Sequence, residues 1–340
     1  MKTNDLGREP AAMQTRDRSS EPTDPLLVAT PRDRVPEGAV AEFLEMADAT
    51  RIRVARWTSA PGGGTPRGTV VVLNGRSEFI EKYFETVESL RARGFAVATL
   101  DWRGQGRSDR PLANRQKGHV DDFEEYLSDL QQFHTRWVQL HCPGPYSLLA
   151  HSMGGHIALR YLARNPGDFE RAIFSAPMWG IGTQARPGLG MRLPVRLARR
   201  LGLSKQYLGL SAASGDFGER NRSFEKSALT HDRERFDRVL AQLDADPRLE
   251  LGAPTFGWVA AALASMHATF AAGFPEAIAT PAHVVTAAKD SIVSGRAHAE
   301  LVARLPHGQH SIVEGARHEL LIESDPYRDR FFEIFDTFMA

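Results

Sequence analysis

What limits the fold of this chain most is a change of period that repeats along it. Short apolar runs at Thr69–Leu73, Phe95–Leu100, Tyr146–Ala150 and Arg171–Ser175 alternate with helical periods at Ile80–Arg93, Asp121–Gln139 and Gly154–Ala163. The runs are apolar throughout rather than at every second residue. That is the pattern of a parallel sheet covered on both faces, with a helix crossing over between successive strands. Upstream, Ala39–Trp57 reads as two strands around a turn at Ala47–Thr50, closed off by Pro61, Gly62, Gly63 and Gly64, and predicts an antiparallel hairpin. The rhythm stops between about Pro177 and Ala279, where Gly and Pro punctuate helical sequence. It resumes with a strand at Ala282–Ala287, a helix at Gly295–Arg304, a strand at His310–Val313 and a helix at Tyr327–Phe338. The expected class is α/β, a mostly parallel central sheet flanked by helices. Its core comprises residues 26–177 and 280–340, and a helical cap is inserted at 178–279. Residues 1–25, rich in Pro, Ser and charge, are expected to form a disordered tail.

Composition narrows the partners. Lys plus Arg and Asp plus Glu each number 42, so the chain lacks the basic surplus that neutralises phosphates, and no nucleic-acid partner is expected. Hydrophobic residues at 42% are enough for a sizeable core in a chain of 340 residues. The single cysteine, Cys142, can form no intramolecular disulfide and no thiolate cluster, which fits a reducing, cytoplasmic compartment and a site without metal or cofactor. The first residues lack the apolar run of a signal peptide, and no stretch of about 18 apolar residues occurs. Val259–Phe274 comes nearest, and Ser265 and His267 interrupt it.

The chemistry concentrates at Leu148-Leu149-Ala150-His151-Ser152-Met153-Gly154-Gly155, where an apolar strand meets a helix at a serine. A serine on such a sharp turn projects its hydroxyl above the sheet, and small residues two before and two after it let the backbones approach. Ala150 stands where the usual pattern has its first glycine. Read alone, Ser152 is also an ordinary helix N-cap. A serine nucleophile needs a histidine base, which in turn needs a carboxylate, in the chain order serine, acid, histidine. Asp290, after the strand Ala282–Ala287, and His318, after His310–Val313, meet that order on loops at the carboxyl edge of the sheet. Asp290 could equally cap the next helix, and His318 is one of 12 histidines, so the weight lies in the combination. Backbone donors for an oxyanion are expected from Met153 and from Arg76, in the loop Asn74-Gly75-Arg76-Ser77. Asn74-Gly75 is also a common turn pair. His151 and Glu319 are read as packing and supporting residues.

These segments, with Asp101-Trp102-Arg103-Gly104-Gln105-Gly106-Arg107-Ser108 and Ala316-Arg317-His318-Glu319-Leu320, resemble the α/β-hydrolases of the branch containing monoacylglycerol lipases and bacterial lysophospholipases. The resemblance covers roughly residues 38–340 and departs from the usual His-Gly at Asn74-Gly75. It implies an α/β-hydrolase fold and a cofactor-independent carboxylic ester hydrolase acting on lysophospholipids or monoacylglycerols. Ser152, Asp290 and His318 would be its triad. Two other readings stay open: a short-chain esterase or peptidase of the same fold, and a catalytically silent binding module.

The cap should choose the substrate. Trp258, Met266 and Phe270, with Val259 and Leu263, would suit an acyl-chain tunnel or simply a cap core. Leu193, Leu197 and Leu201 recur beside Arg192, Arg196 and Arg200 on a basic amphipathic helix expected to start near Pro194. Two arrangements fit that helix. Either the leucines enter an acyl layer at the inner membrane surface while the arginines meet phosphate, or the leucines pack on the domain beneath a solvated basic face.

Overall fold

The structure, a computed structural model, describes residues 25–58, 64–182, 189–208 and 223–340; the tail expected at 1–25 lies outside them except for Pro25. Strands β1 (Val40–Glu45) and β2 (Arg51–Trp57) pair antiparallel around the Ala47–Thr50 turn. Then β3 (Thr69–Leu73) leads into α1 (Phe84–Ala92), and β4 (Ala96–Leu100) into α2 (Glu124–Phe133). A π turn carries α2 into the short α3 (Gln139–His141). Strand β5 (Tyr146–His151) runs directly into α4 (Ser152–Leu162), followed by β6 (Arg171–Ser175). The described residues before the next strand hold α5 (Leu189–Arg200), α6 (Arg233–Ala245) and α7 (Phe256–Thr269). The sheet then completes with β7 (Ala282–Ala287), α8 (Gly295–Val302), β8 (Gly308–Val313) and α9 (Asp325–Met339).

The eight strands lie in the order β1-β2-β4-β3-β5-β6-β7-β8, with β2 antiparallel to both neighbours and every later pairing parallel. Successive residues serve opposite faces. Val71, Leu73, Leu148 and Ala150 join the core under α2, α4 and α7, while Val70, Val72 and Leu149 join the core under α1 and α9. This is why the strands read as unbroken apolar runs. Register sets Leu73 beside Ala150, His151 beside Ser175, and Ala287 beside Val313, so the loops that follow gather at one carboxyl edge.

Two local departures have visible causes. The helix expected from Ile80 opens as a 3-10 turn, Ile80–Tyr83, with the Ile80 amide drawn to the Asp101 carboxylate at 2.9 Å. Helix α5 starts at Leu189 and encloses Pro194, although a start near Pro194 was expected. It buries Val195 and Ala198, so the packing of that face outweighs the backbone bond that proline removes. The segment between β6 and β7 is stitched to the rest by Gly118 and Thr255 amides, which donate to Ala253 and Gly118 carbonyls at 3.0 and 2.9 Å. Glu85 of α1 completes the anchorage, binding Arg235 and Arg238 of α6 at 2.6 and 2.8 Å.

Candidate active site

Ser152 sits at φ +48°, in the left-handed region that a side chain normally avoids at a cost of about 1 kcal/mol or more. The surroundings hold it there. Its carbonyl accepts the Met178 amide at 2.8 Å. A Cβ on Gly154 would collide with the Leu73 carbonyl, and one on Gly155 would lie 2.7 Å from Pro177 Cβ, so the elbow closes only over small residues. Ala150 is buried within β5 and fits.

His318 Nε2 lies 3.1 Å from Ser152 Oγ, and His318 Nδ1 lies 2.6 Å from Asp290 Oδ2. The other Asp290 oxygen accepts the Ile292 and Val293 amides at 2.7 and 3.0 Å. Burial alone would raise this carboxyl, yet the His318 hydrogen bond and charge and the two amides keep it below its ordinary value. An ionised Asp290 requires the proton on Nδ1, which leaves the Nε2 lone pair facing the serine hydroxyl. Among other acids, Asp101 is buried with Arg53 at 2.7 Å, and the exposed Asp121 faces His119 at 3.3 Å. Asp216 lies outside the described residues.

Opposite the serine, the turn after β3 is clamped from several sides. Asn74 Nδ2 donates to the Leu100 carbonyl at 2.7 Å, Gln105 Nε2 to the Gly75 carbonyl at 2.7 Å, and the Gly75 amide to the Glu78 carboxylate. A side chain on Gly75 would stand 3.1 Å from Ser152 Cβ, so glycine permits the approach. The Arg76 side chain donates to the Gly252 carbonyl and Ser77 Oγ at 2.7 and 2.9 Å and lies 5.2 Å over the Trp258 ring. Met153, in the first turn of α4, is fully buried beneath the serine.

The sequence reading missed a buried charged cluster behind His318. Lys82 Nζ lies 3.0 Å from Glu78 and 2.7 Å from Glu319, and the Tyr83 hydroxyl donates to Glu78 at 2.7 Å. Against the effect of burial, Lys82, His151, Tyr83 and the Gly75 amide hold the Glu78 carboxyl well down. His151 donates through Nδ1 to the Ser175 carbonyl at 2.9 Å, and its ring lies 4.8 Å from that of His318. Burial pushes His151 down to about 4. Glu78, His151 and Glu319 offer ligand-type atoms within 4.8 Å of one another, but the Lys82 ammonium already supplies positive charge to both carboxylates. Only the i,i+4 spacing of Glu78 and Lys82 was visible in the sequence.

A cavity of about 200 Å³ opens at Ser152 and His318, with apolar walls from Met178, Ile181, Leu229, Trp258, Ile292 and Val293. Met266 and Phe270 do not line it. They are buried in the core, and Met266 stands about 12 Å along α7 from Trp258 at 1.5 Å per residue. Leu193, Leu197 and Leu201 are 59%, 57% and 66% exposed, which overturns the arrangement in which they pack on the domain. The side chain of Arg192 lies outside the described residues.

A serine on the turn after β5, facing a histidine and an aspartate from the loops after β8 and β7 of this sheet, marks the class of the α/β-hydrolases. Within that class the chain belongs to the Hydrolase_4 family, the S33 serine aminopeptidase family of serine hydrolases, whose model matches residues 64–325. It is 35% identical over 278 residues to lysophospholipase L2 of Escherichia coli K12, covering 76% of each chain. To the monoacylglycerol lipase of Mycolicibacterium smegmatis it is 30% identical over 187 residues, 55% of this chain and 58% of the relative. A soluble variant of the monoglyceride lipase from Saccharomyces cerevisiae, solved with a substrate analogue, superposes with a TM-score of 0.68 at 17% identity. That match covers 93% of this chain and 98% of the yeast chain.

Proposed function

We propose that this protein hydrolyses single-chain lipid esters, lysophospholipids or monoacylglycerols, through an acyl-enzyme. The observation that carries the reading is the continuous array from Ser152 Oγ through His318 to Asp290, opening on an apolar-walled cavity. Ser152 attacks the ester carbonyl as His318 Nε2 takes its proton, and Asp290 stabilises the imidazolium. The Met153 and Arg76 amides hold the oxyanion. His318 then gives the proton to the leaving alcohol, and water, activated by the same base, releases the fatty acid. In this reading 26–177 and 280–340 are the catalytic core and 178–279 is a cap, with Trp258 against the acyl chain. The similarity to lysophospholipase L2 and to monoacylglycerol lipase supports the substrate class.

The same reading places the enzyme in the cytoplasm, touching the inner membrane surface through α5. Among the described residues no helix is long and apolar enough to cross a membrane. The exposed ridge of Leu193, Leu197 and Leu201, flanked by exposed Arg196, Arg199 and Arg200, supports surface contact instead.

Labelling with a fluorophosphonate probe, together with hydrolysis of lysophospholipids, monoacylglycerols, p-nitrophenyl esters of graded length and aminoacyl p-nitroanilides, tests this. The wild type should label and prefer long-chain esters, while Ser152→Ala should lose labelling and several orders of magnitude in turnover. Near-wild-type turnover by Ser152→Ala would remove the mechanism, and a preference for short esters or for anilides would remove the lipid assignment.

A further inference from the structure

After β6 the chain runs through Ala176–Gly182 as a bracket between the nucleophile and the acid. At one end the Met178 amide donates to the Ser152 carbonyl at 2.8 Å. At the other, the Ser294 amide donates to the Gly180 carbonyl at 3.1 Å, the Gly182 amide donates to the Ile292 carbonyl at 2.9 Å, and Ile181 bridges Val293. Ile292 and Val293 are the residues whose amides bind Asp290. The position of the acid relative to the serine therefore passes through this segment.

The bracket is strained where it leaves the sheet. Ala176 sits at φ +42°, a conformation that persists in a residue with a side chain only when its surroundings impose it. The next residue, Pro177, has no amide of its own to bond, so its ring packing against Gly155 and its carbonyl must hold it. That carbonyl accepts the Trp179 amide at 2.8 Å and His298 Nε2 at 2.6 Å.

His298 is fully buried on α8, and its bonds leave one arrangement of protons. A carbonyl only accepts, so Nε2 carries the hydrogen toward Pro177. Nδ1 must then accept from the Thr286 hydroxyl, 2.8 Å away. Thr286 Oγ1 in turn accepts from His310 Nε2, also at 2.8 Å. A relay thus runs from His310 on the exposed edge strand β8, through β7 and α8, to the backbone beside the nucleophile. Burial pushes His298 down to about 4, so it is neutral at ordinary pH, as this donor-and-acceptor role requires.

We infer that His298 is a positioning residue, which holds the Ala176–Gly182 bracket through the Pro177 carbonyl and so sets the geometry between Ser152 and Asp290. It does not touch substrate. The inference rests on the assignment of Ser152, His318 and Asp290 as the triad. A small displacement of a catalytic array lowers rate far more than binding, and a shift of about 1 Å can lose roughly a hundredfold.

The test compares His298→Leu, which keeps bulk and removes both bonds, with His298→Gln, whose amide can still reach a carbonyl. Thr286→Val serves as a third variant, removing the hydroxyl that donates to Nδ1 and accepts from His310 while leaving the His298 bond to the Pro177 carbonyl in place. The readouts are the rate constant of fluorophosphonate labelling at Ser152 and the separate kcat and KM for a monoacylglycerol, at a temperature where circular dichroism shows each variant folded. His298→Leu should lose on the order of tenfold to a hundredfold in labelling rate and kcat, with KM within about threefold. His298→Gln should recover most of that loss, and Thr286→Val should fall between. Labelling of His298→Leu within about twofold of wild type overturns the inference, as does equal impairment of folded His298→Gln and His298→Leu, which would mark a packing role. Should His298→Leu not fold, Thr286→Val decides, and an unchanged rate there overturns the inference. A wild type that does not label at Ser152 removes the triad reading and this inference with it.

Discussion

His318 can act as a base because its two nitrogens meet different partners, an ionised carboxylate at 2.6 Å and a hydroxyl at 3.1 Å. Replacing Asp290 with Asn removes the charge that stabilises the imidazolium and offers an amide that can select the wrong tautomer. Asp290→Asn should therefore lower kcat by roughly three to four orders of magnitude while the protein stays folded. Steady-state kinetics on a monoacylglycerol checks this, and a nearly silent Asp290→Asn would return the acid role to another residue. At this scale the proposed serine, acid and histidine could be picked out because each stands on a loop that follows a recognisable strand, and the structure brings the three side chains together. The Glu78–Lys82–Glu319 cluster was not legible. Lys82 and Glu319 lie far apart in the chain, and only the packing of the 3-10 turn Ile80–Tyr83 against the loop after β8 brings them to 2.7 Å.

Between elements, the most consequential contact outside the site is Glu85. It joins α1 to Arg235 and Arg238 of α6 at 2.6 and 2.8 Å, while Arg235 also reaches Asp325 of α9 at 2.7 Å. Burial opposes ionisation of Glu85, but the arginines prevail and hold it near 2 instead of its ordinary 4.5. Because the folded value lies below the unfolded one, the stabilisation is complete above about pH 4.5 and is lost as pH falls toward 2. After allowance for its partial exposure, Glu85→Gln should lower stability by on the order of 2 kcal/mol at pH 7. Urea unfolding of both proteins from pH 7 to pH 3 reads this, with the gap narrowing below pH 4.5. A gap that stays constant over that range would mean the ion cluster is not its source. Element boundaries show a related limit of the sequence. The sequence places the start of α5 near Pro194 because proline normally starts a helix, whereas the helix begins at Leu189 and takes Pro194 into its interior.

For the whole molecule, net charge zero conceals an uneven surface. The leucine ridge of α5 and its exposed arginines face away from the core. Substituting Arg196, Arg199 and Arg200 together by Gln should weaken binding to anionic vesicles by on the order of 1 kcal/mol per charge, and high salt should mimic the change. Substituting Leu193, Leu197 and Leu201 by Ser should weaken binding even at high salt, since that contribution is apolar. Vesicle co-sedimentation of the wild type and both triple variants, at low and high salt, separates the two effects. Equal sedimentation of all three proteins would leave α5 as a solvated face.

By itself the sequence determined the mostly parallel sheet, its crossover helices and the loops that carry Ser152, Asp290 and His318. Those features depend on local period, on turn chemistry and on chain order, all of which are written along the chain. Only the tertiary structure decided which residues of α7 and its C-terminal end face the cavity, since a helix this apolar gives no phase to read, and so Trp258 lines it while Met266 and the capping residue Phe270 do not. The α5 leucines were undetermined for a different reason. Amphipathic spacing shows that two faces differ without showing which one packs, and here the small residues Val195 and Ala198 fit against the neighbouring helix while the leucines stay outside. The supports of the site, from Lys82 under Glu319 to His298 under Pro177, arise from pairings between segments remote in sequence, which exist only once the sheet has brought them together.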